Sequence, residues 1–112
     1  MKSPFESFKE NMQLIETVKY IKDKVPEDRQ LTQVAEECAE GAQAALKLYR
    51  AYNGEGDRID KYQQRVKMLE EFADISVCMA VIMSDHDRIM YQEIYKNKLN
   101  RWKERLDGGT KS

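Results

Sequence analysis

Apolar residues recur at three- and four-residue steps through three stretches of the chain and at three- to five-residue steps through a fourth, and this spacing predicts four α-helices. The first helix opens at Pro4 with Ser3 as its cap. It ends before Pro26, because proline lacks the amide proton that a continuing helix would donate. The apolar stripe predicted for this helix consists of Phe5, Phe8, Met12, Ile15, Val18, Ile21 and Val25.

The second predicted helix begins at Glu27 or Asp28 and runs to about Asn53. Small side chains at positions 41, 42, 44 and 45 would let a neighbouring helix approach it closely. We therefore expect side chains from two helices to be able to converge here. The core side predicted for this helix consists of Leu31, Ala35, Cys38, Ala42, Ala45 and Tyr49.

The segment 53–57 contains two glycines and predicts a turn, with Asp57 as the cap of the third helix. A second interruption is predicted at 84–87, before a fourth helix that ends near Leu106. Residues 1–107 are expected to form a single all-α domain resembling a four-helix bundle, and residues 108–112 a flexible tail. The predicted stripes are Ile59, Tyr62, Val66, Leu69, Ala73, Val77, Ala80 and Met83 in helix three, and Ile89, Ile94, Leu99, Trp102 and Leu106 in helix four.

Composition supports helices with a solvated face and a narrow apolar stripe. Charged residues make up 35% of the 112-residue chain and hydrophobic residues 41%. The formal net charge of -1 gives no bias toward a nucleic-acid polymer or an anionic membrane. No apolar run approaches the roughly 20 residues that a membrane span needs, and no signal peptide is visible. A cytoplasmic protein is expected, with Cys38 and Cys78 as reduced core residues.

Three carboxylates, Glu36, Glu37 and Glu40, lie within little more than one turn of helix two. With Cys38 taken as the core direction and about 100° per residue, all three flank the predicted stripe on one side. Like charges so close repel one another unless a cation neutralises them. The question is therefore whether the cluster faces water or a binding site.

Helix three repeats the arrangement, because Glu71 and Asp74 are three residues apart and share one face. If the two helices pack side by side, these acids and Glu37 and Glu40 form a four-carboxylate pocket. Carboxylate-only ligation favours a hard cation such as Mg²⁺, with Mn²⁺ as the alternative.

Other metal centres fit the sequence poorly. Zinc is disfavoured because no cysteine or histidine accompanies the acids. A ferritin-like di-iron site needs a Glu-x-x-His pair from each of two helices. Here Gln43 stands three residues after Glu40, and Val77 three residues after Asp74. The one histidine, His86, falls in the predicted interruption.

The segments 34–40 and 70–74 resemble the E-E-x-x-E and E-x-x-D motifs of the MazG-like, all-α nucleoside triphosphate pyrophosphohydrolases. That superfamily includes the dimeric dUTPases and dCTP pyrophosphatases. The basic segment 96–102 is similar to the family's C-terminal helix, and the resemblance extends over about residues 31–106. It implies a self-associating helical bundle with its site at or near a dimer or tetramer interface. The implied reaction is Mg²⁺-dependent hydrolysis of a nucleoside or deoxynucleoside triphosphate to monophosphate and pyrophosphate, in nucleotide-pool house-cleaning.

Carried over by position, the resemblance assigns metal binding to four acids. Glu36 would be a further ligand or would position the attacking water, so Glu36 and Glu37 are the catalytic candidates. Lys98 and Arg101, three apart on one helix, would bind triphosphate oxygens. Phe8 and Trp102 are the base-binding candidates. The implied metal ligands are Glu37, Glu40, Glu71 and Asp74.

Simpler interpretations remain open beside these. Acidic residues on a highly charged helical protein commonly form a solvated face. The cations of the fourth helix also suit a helix C-terminus through the macrodipole, and Phe8 and Trp102 fit a core or an interface as well as a base pocket. The alternative function is a catalytically silent helical interaction or dimerisation module of the same fold.

Overall fold

The computed structural model describes residues 1–54 and 61–108, and in these ranges it contains α-helices and no strand. The predicted all-α class is therefore confirmed. The predicted cap Asp57, Ile59 and the tail beyond residue 108 lie outside the described residues. The helices are α1 (Pro4–Lys24), α2 (Glu27–Tyr52), α3 (Lys61–Ile82) and α4 (Asp85–Leu106).

The chain divides into two compact units, residues 1–82 and residues 83–112. In the first unit, α2 packs along α3, and α1 also contacts α3. The second unit contains α4. Within the described residues, no helix is both long enough and apolar enough to cross a membrane.

Local sequence signals set the ends of α1. The Ser3 hydroxyl accepts a hydrogen bond from the Glu6 amide at 3.1 Å, which satisfies one of the free donors of the first turn. Val25 is extended because it precedes Pro26, and α2 begins directly after that proline. The predicted boundaries of these two helices are confirmed.

The predicted interruption at 84–87 is shorter than expected. Ser84 is the N-cap of α4, with its hydroxyl accepting from the Asp87 amide at 3.0 Å. The Asp87 carboxylate in turn accepts from the Ser84 amide at 3.0 Å, so the two residues form a capping box. The acids after Ser84 thus start the helix, and His86 lies in the first turn of α4 rather than in a break.

The predicted core side of α2 is mostly wrong, because only Ala45 of its six residues is partly covered. Leu31, Cys38 and Tyr49 are exposed, and the covered side lies about 100° around the helix. The reason is close approach by α3: a Cβ atom added to Gly41 would lie 2.8 Å from Ile75 Cδ1. The expectation that small residues admit a neighbouring helix is therefore confirmed at Gly41. The buried residues of α2 are Gln30, Gly41, Ala44 and Leu48.

The predicted stripe of α3 is also displaced, since Tyr62, Leu69 and Val77 are exposed. The covered positions of that helix include Met68, Glu71, Ile75, Cys78 and Val81. These positions follow one another at three- and four-residue steps, so the predicted helical period is confirmed, while within α3 the predicted stripe is confirmed only at Val66 and Ala80, which are half-buried.

The stripes predicted for α1 and α4 are mostly uncovered. In α1, Phe5 and Phe8 are 70% and 62% exposed, while Val18, Ile21 and Val25 are half-buried. Prediction of a buried stripe is thus confirmed only at the C-terminal end of α1. α4 has no fully buried residue, and its predicted stripe residues are all exposed.

Candidate metal centre

Three carboxylates from two helices meet where α2 packs on α3. Each of Glu37, Glu71 and Asp74 offers one oxygen atom within 4.8 Å of the others. Glu37 and Glu71 are half-buried and Asp74 is exposed. The side-by-side packing of the two helices therefore brings together acids that are more than thirty residues apart in the chain.

Two carboxylate oxygens of these residues are buried and have no hydrogen-bond partner. They are Glu37 Oε2 and Glu71 Oε2, one on each helix. The other oxygen of Glu37, Oε1, accepts from Gln33 Nε2 at 3.0 Å. A buried carboxylate oxygen without a partner costs free energy, and a proton or a metal ion would satisfy it. This chemistry fits a cation held between the helices.

Glu40 lies beside the same group. The negative charge of Glu37, then that of Glu71, raises the pKa of Glu40 above its ordinary value. Its side chain is exposed, so it lies at the rim of the cluster. The structure thus brings the four predicted metal ligands close together. Oxygen atoms of three of them lie within 4.8 Å of one another, and the fourth, Glu40, is near enough for the charges of Glu37 and Glu71 to act on it.

Glu36 is placed differently from Glu37. It is exposed, and it is not among the three acids whose oxygens converge. Consecutive residues point about 100° apart on a helix, so Glu36 and Glu37 cannot both face α3. A role for Glu36 as a further ligand or a water-positioning residue stays a prediction.

Both cysteines have free thiols, but only Cys78 is partly covered. Cys38 is exposed, so its predicted core position is wrong. Burial, followed by the charges of Glu37 and Asp74, raises the pKa of the Cys78 thiol. The thiol is therefore disfavoured as a thiolate ligand, and the converging donor set among the described residues consists of oxygens alone.

The predicted phosphate-binding residues lie on α4. Lys98 and Arg101 are both exposed, and their spacing places them on neighbouring turns of one face. Lys96 and Lys103, the other cations of this segment, each form an exposed ion pair with an acidic neighbour in sequence. These pairs leave Lys98 and Arg101 as the better candidates for an external anion, and their phosphate role stays a prediction.

The two base-binding candidates lie on surfaces. Phe8 in the first half of α1 is 62% exposed, and Trp102 on α4 is 61% exposed. Phe8 lies among other exposed apolar residues, including Phe5 and Met12. This setting is typical of a contact surface between proteins as well as of a ligand site, so a base-binding role for either residue remains a prediction.

Two glutamines of α2 were missed by sequence reasoning. Gln33 lies one turn before Glu37, and this i,i+4 spacing of an amide and a carboxylate could have identified it. Gln30 is buried, and its Nε2 donates to the Val25 carbonyl at 2.8 Å and to the Lys22 carbonyl at 3.4 Å. No sequence signal marks Gln30, because its partners are backbone atoms across the turn between α1 and α2.

Comparison of the chain with models of protein families, with curated proteins and with solved structures finds no match. The resemblance to the MazG-like enzymes rests on the two acidic motifs and the basic segment quoted above. Function must therefore be inferred from these residues and from the geometry of the acidic cluster.

Proposed function

We propose that the protein binds Mg²⁺, with Mn²⁺ as the alternative, at the acidic cluster between α2 and α3. The observation that carries this proposal is the pair of buried carboxylate oxygens without partners, Glu37 Oε2 and Glu71 Oε2. A divalent cation would satisfy both oxygens and offset the repulsion that raises the pKa of Glu40. An all-oxygen donor set suits a hard cation. The proposed ligands are Glu37, Glu40, Glu71 and Asp74.

The proposed reaction is hydrolysis of a nucleoside or deoxynucleoside triphosphate to monophosphate and pyrophosphate. It is supported by the resemblance of segments 34–40 and 70–74 to the MazG-like motifs. When bound, the metal would supply charge neutralisation and a water molecule of lowered pKa. Glu36 would orient that water, and Lys98 and Arg101 would hold phosphate oxygens. We propose a house-cleaning role in the cytoplasmic nucleotide pool.

Self-association into a homodimer or homotetramer is part of the same proposal. Large apolar side chains are exposed in the first half of α1, including Phe5 and Phe8, and along α4, including Trp102 and Leu106. Contiguous exposed apolar surface commonly marks a protein–protein contact. A second copy of the chain would cover such surface without requiring a separate partner.

The test is a panel of ribo- and deoxyribonucleoside triphosphates assayed with Mg²⁺, followed by identification of the first phosphate product. We expect pyrophosphate from at least one substrate, and loss of this activity in Glu37→Gln and in Asp74→Asn. Asp23→Asn removes an exposed acid of α1 and serves as the matched control. Orthophosphate as the first product, or no release from any substrate, would contradict the enzyme proposal.

The same preparation discriminates the silent interaction module. A metal-binding enzyme should show an Mg²⁺-dependent rise in melting temperature, because a ligand that prefers the native state stabilises it. Self-association without that rise and without turnover would instead favour the interaction module.

A further inference from the structure

A half-open cavity of about 300 Å³ lies in the first unit, near the acidic cluster. It is bounded by the end of α1, the start of α2 and the end of α3. Four aliphatic side chains make its walls mainly apolar, and none of the lining residues that the structure describes is aromatic. The cavity therefore suits an uncharged organic group better than a phosphate. The aliphatic residues are Ile21, Val25, Val77 and Val81.

Two lining residues connect the cavity to the candidate metal centre. Gln33 lines the cavity and donates from Nε2 to Glu37 Oε1 at 3.0 Å. Cys78 also lines it and lies close enough to Glu37 and Asp74 for their charges to act on its thiol. A molecule with its charged end at the acids could therefore place an apolar end in the cavity.

The cavity is also held in shape before any ligand arrives. Gln30 lines it and is buried, with Nε2 donating to two carbonyls at the end of α1. These bonds join the start of α2 to the end of α1, which are two of the three cavity walls. A preformed pocket loses less conformational freedom on binding than a flexible one.

We infer that this cavity binds the nucleobase of a nucleoside triphosphate whose phosphates lie at the acidic cluster. The inference rests on the proposed function and adds the site that recognises the base. The volume is at the lower end of the range for small-molecule pockets, roughly 300–1,000 Å³, which suits a single heterocycle. Aliphatic side chains would pack against the faces of the ring, and Arg29, which also lines the cavity, would donate to a ring carbonyl or nitrogen. Phe8 does not line this cavity, so the inference moves base recognition away from it.

The decisive variant fills the cavity. Val77 lines it and is 55% exposed, so Val77→Phe can add a ring without disturbing a packed core. Leu69→Phe is the matched control, because Leu69 is similarly exposed on α3 and does not line the cavity. Arg29→Gln is a second variant that removes the donor, at an exposed position.

Binding is measured by calorimetry with two Mg²⁺ complexes. One is the α,β-imido analogue of the preferred nucleoside triphosphate, and the other is inorganic tripolyphosphate, which has no base. We expect wild type to bind the analogue about tenfold or more tightly than tripolyphosphate, and Val77→Phe to remove most of that advantage. Leu69→Phe should retain it, and Arg29→Gln should weaken the analogue alone.

Each remaining outcome decides against one proposal. Equal wild-type affinity for the two ligands, or an unchanged advantage in Val77→Phe, would overturn the base site and leave the proposed metal-dependent function standing. Equal losses for both ligands in Arg29→Gln would assign Arg29 to phosphate and contradict its role at the base. Absence of Mg²⁺-dependent binding of either ligand would overturn the proposed function and, with it, the inference.

Discussion

The inner face of the α2–α3 pair and the first half of α1 show opposite relations between polarity and burial. On the inner face, Glu37 and Glu71 are half-buried next to the small residue Gly41. In the first half of α1, Phe5 and Phe8 are 70% and 62% exposed. Charge is covered in one region, and large apolar surface is left uncovered in the other.

The covered carboxylates and the exposed aromatic side chains would each be stabilised by a group that a single chain does not supply. Partly buried carboxylates that each have one oxygen without a partner become favourable when a cation neutralises them. Exposed aromatic side chains become favourable when another surface covers them. The inner face of the α2–α3 pair is thus the proposed metal site, and the first half of α1 is the proposed contact between copies of the chain. Substitutions can test each of them.

Glu71→Gln should produce the largest effect. Loss of a metal ligand removes transition-state stabilisation that metals commonly supply at several kcal/mol, so the rate of pyrophosphate release should fall by about 100-fold or more. The measurement is a steady-state assay with Mg²⁺. Glu70→Gln, the exposed neighbouring acid, should stay near wild type.

The same variant has a second, opposite expectation without metal. Removing one charge relieves repulsion, so the metal-free free energy of unfolding should stay equal or rise slightly. This is measured by urea denaturation with a chelator present. A marked loss of stability would show that Glu71 has a structural role. It would contradict the interpretation of the inner face as a cluster of carboxylates that repel one another without a metal ion.

Phe8→Ser tests the exposed half of α1. If a second copy covers this side chain, its removal costs about 1.5–3 kcal/mol per chain, or at least about tenfold in the dissociation constant. Sedimentation velocity over a concentration series measures this shift, and Lys9→Ser is the neighbouring exposed control. Wild type that stays monomeric at every concentration would contradict self-association.

Gly41→Ala tests how closely α2 and α3 pack. A Cβ atom would lie 2.8 Å from Ile75 Cδ1 and 3.2 Å from Phe72 Cε1. Overpacking costs about 1–3 kcal/mol, and the better helix propensity of alanine returns about 1 kcal/mol. We expect a net loss of about 1 kcal/mol in urea unfolding, with weaker Mg²⁺ binding. Gln43→Ala, a substitution at an exposed position of the same helix, should change neither the free energy of unfolding nor Mg²⁺ binding in this way.

The smallest expected effect is the pH dependence of Glu40. The charges of Glu37 and Glu71 raise its pKa in the folded chain, so the folded state holds this proton more tightly than the unfolded state. Between the ordinary pKa of 4.5 and the raised pKa, the metal-free protein therefore loses stability as pH rises.

Glu40→Gln removes this titration. Without metal the variant should melt above wild type at neutral pH, and the difference should vanish as pH falls below 4.5. Thermal denaturation with a chelator measures it, with Glu104→Gln on α4 as the control. A difference that is constant with pH would contradict coupling between Glu40 and the cluster.

Helix positions were predictable because their signals are local. Ser3 marks the start of α1 and Pro26 its end, as expected. A capping hydroxyl and a missing amide proton each act within one turn of the chain. The capping box of Ser84 and Asp87 follows the same chemistry, although the polar run 84–87 predicts a break in the sequence pattern. Polar residues before an apolar run indicate a helix start as readily as an interruption.

The covered faces were not predictable in the same way. On α2 the covered side is turned by roughly a quarter revolution from Cys38 toward Glu37. Apolar content alone favoured Leu31 and Tyr49, but α3 approaches where side chains are smallest, at Gly41. The cavity next to Gln33 escaped prediction because the end of α3, more than forty residues further along the chain, closes the space between the end of α1 and the start of α2.

By itself the sequence determined the four helices, the caps of α1 and the acidic pairs three residues apart. These depend on backbone chemistry and on the 3.6-residue repeat. The tertiary structure decided that Glu37 turns toward α3 while Glu36 remains exposed, and that Glu71 meets Glu37. The rotation of each helix about its axis is set by the shape of its neighbour, because close packing is a property of the pair.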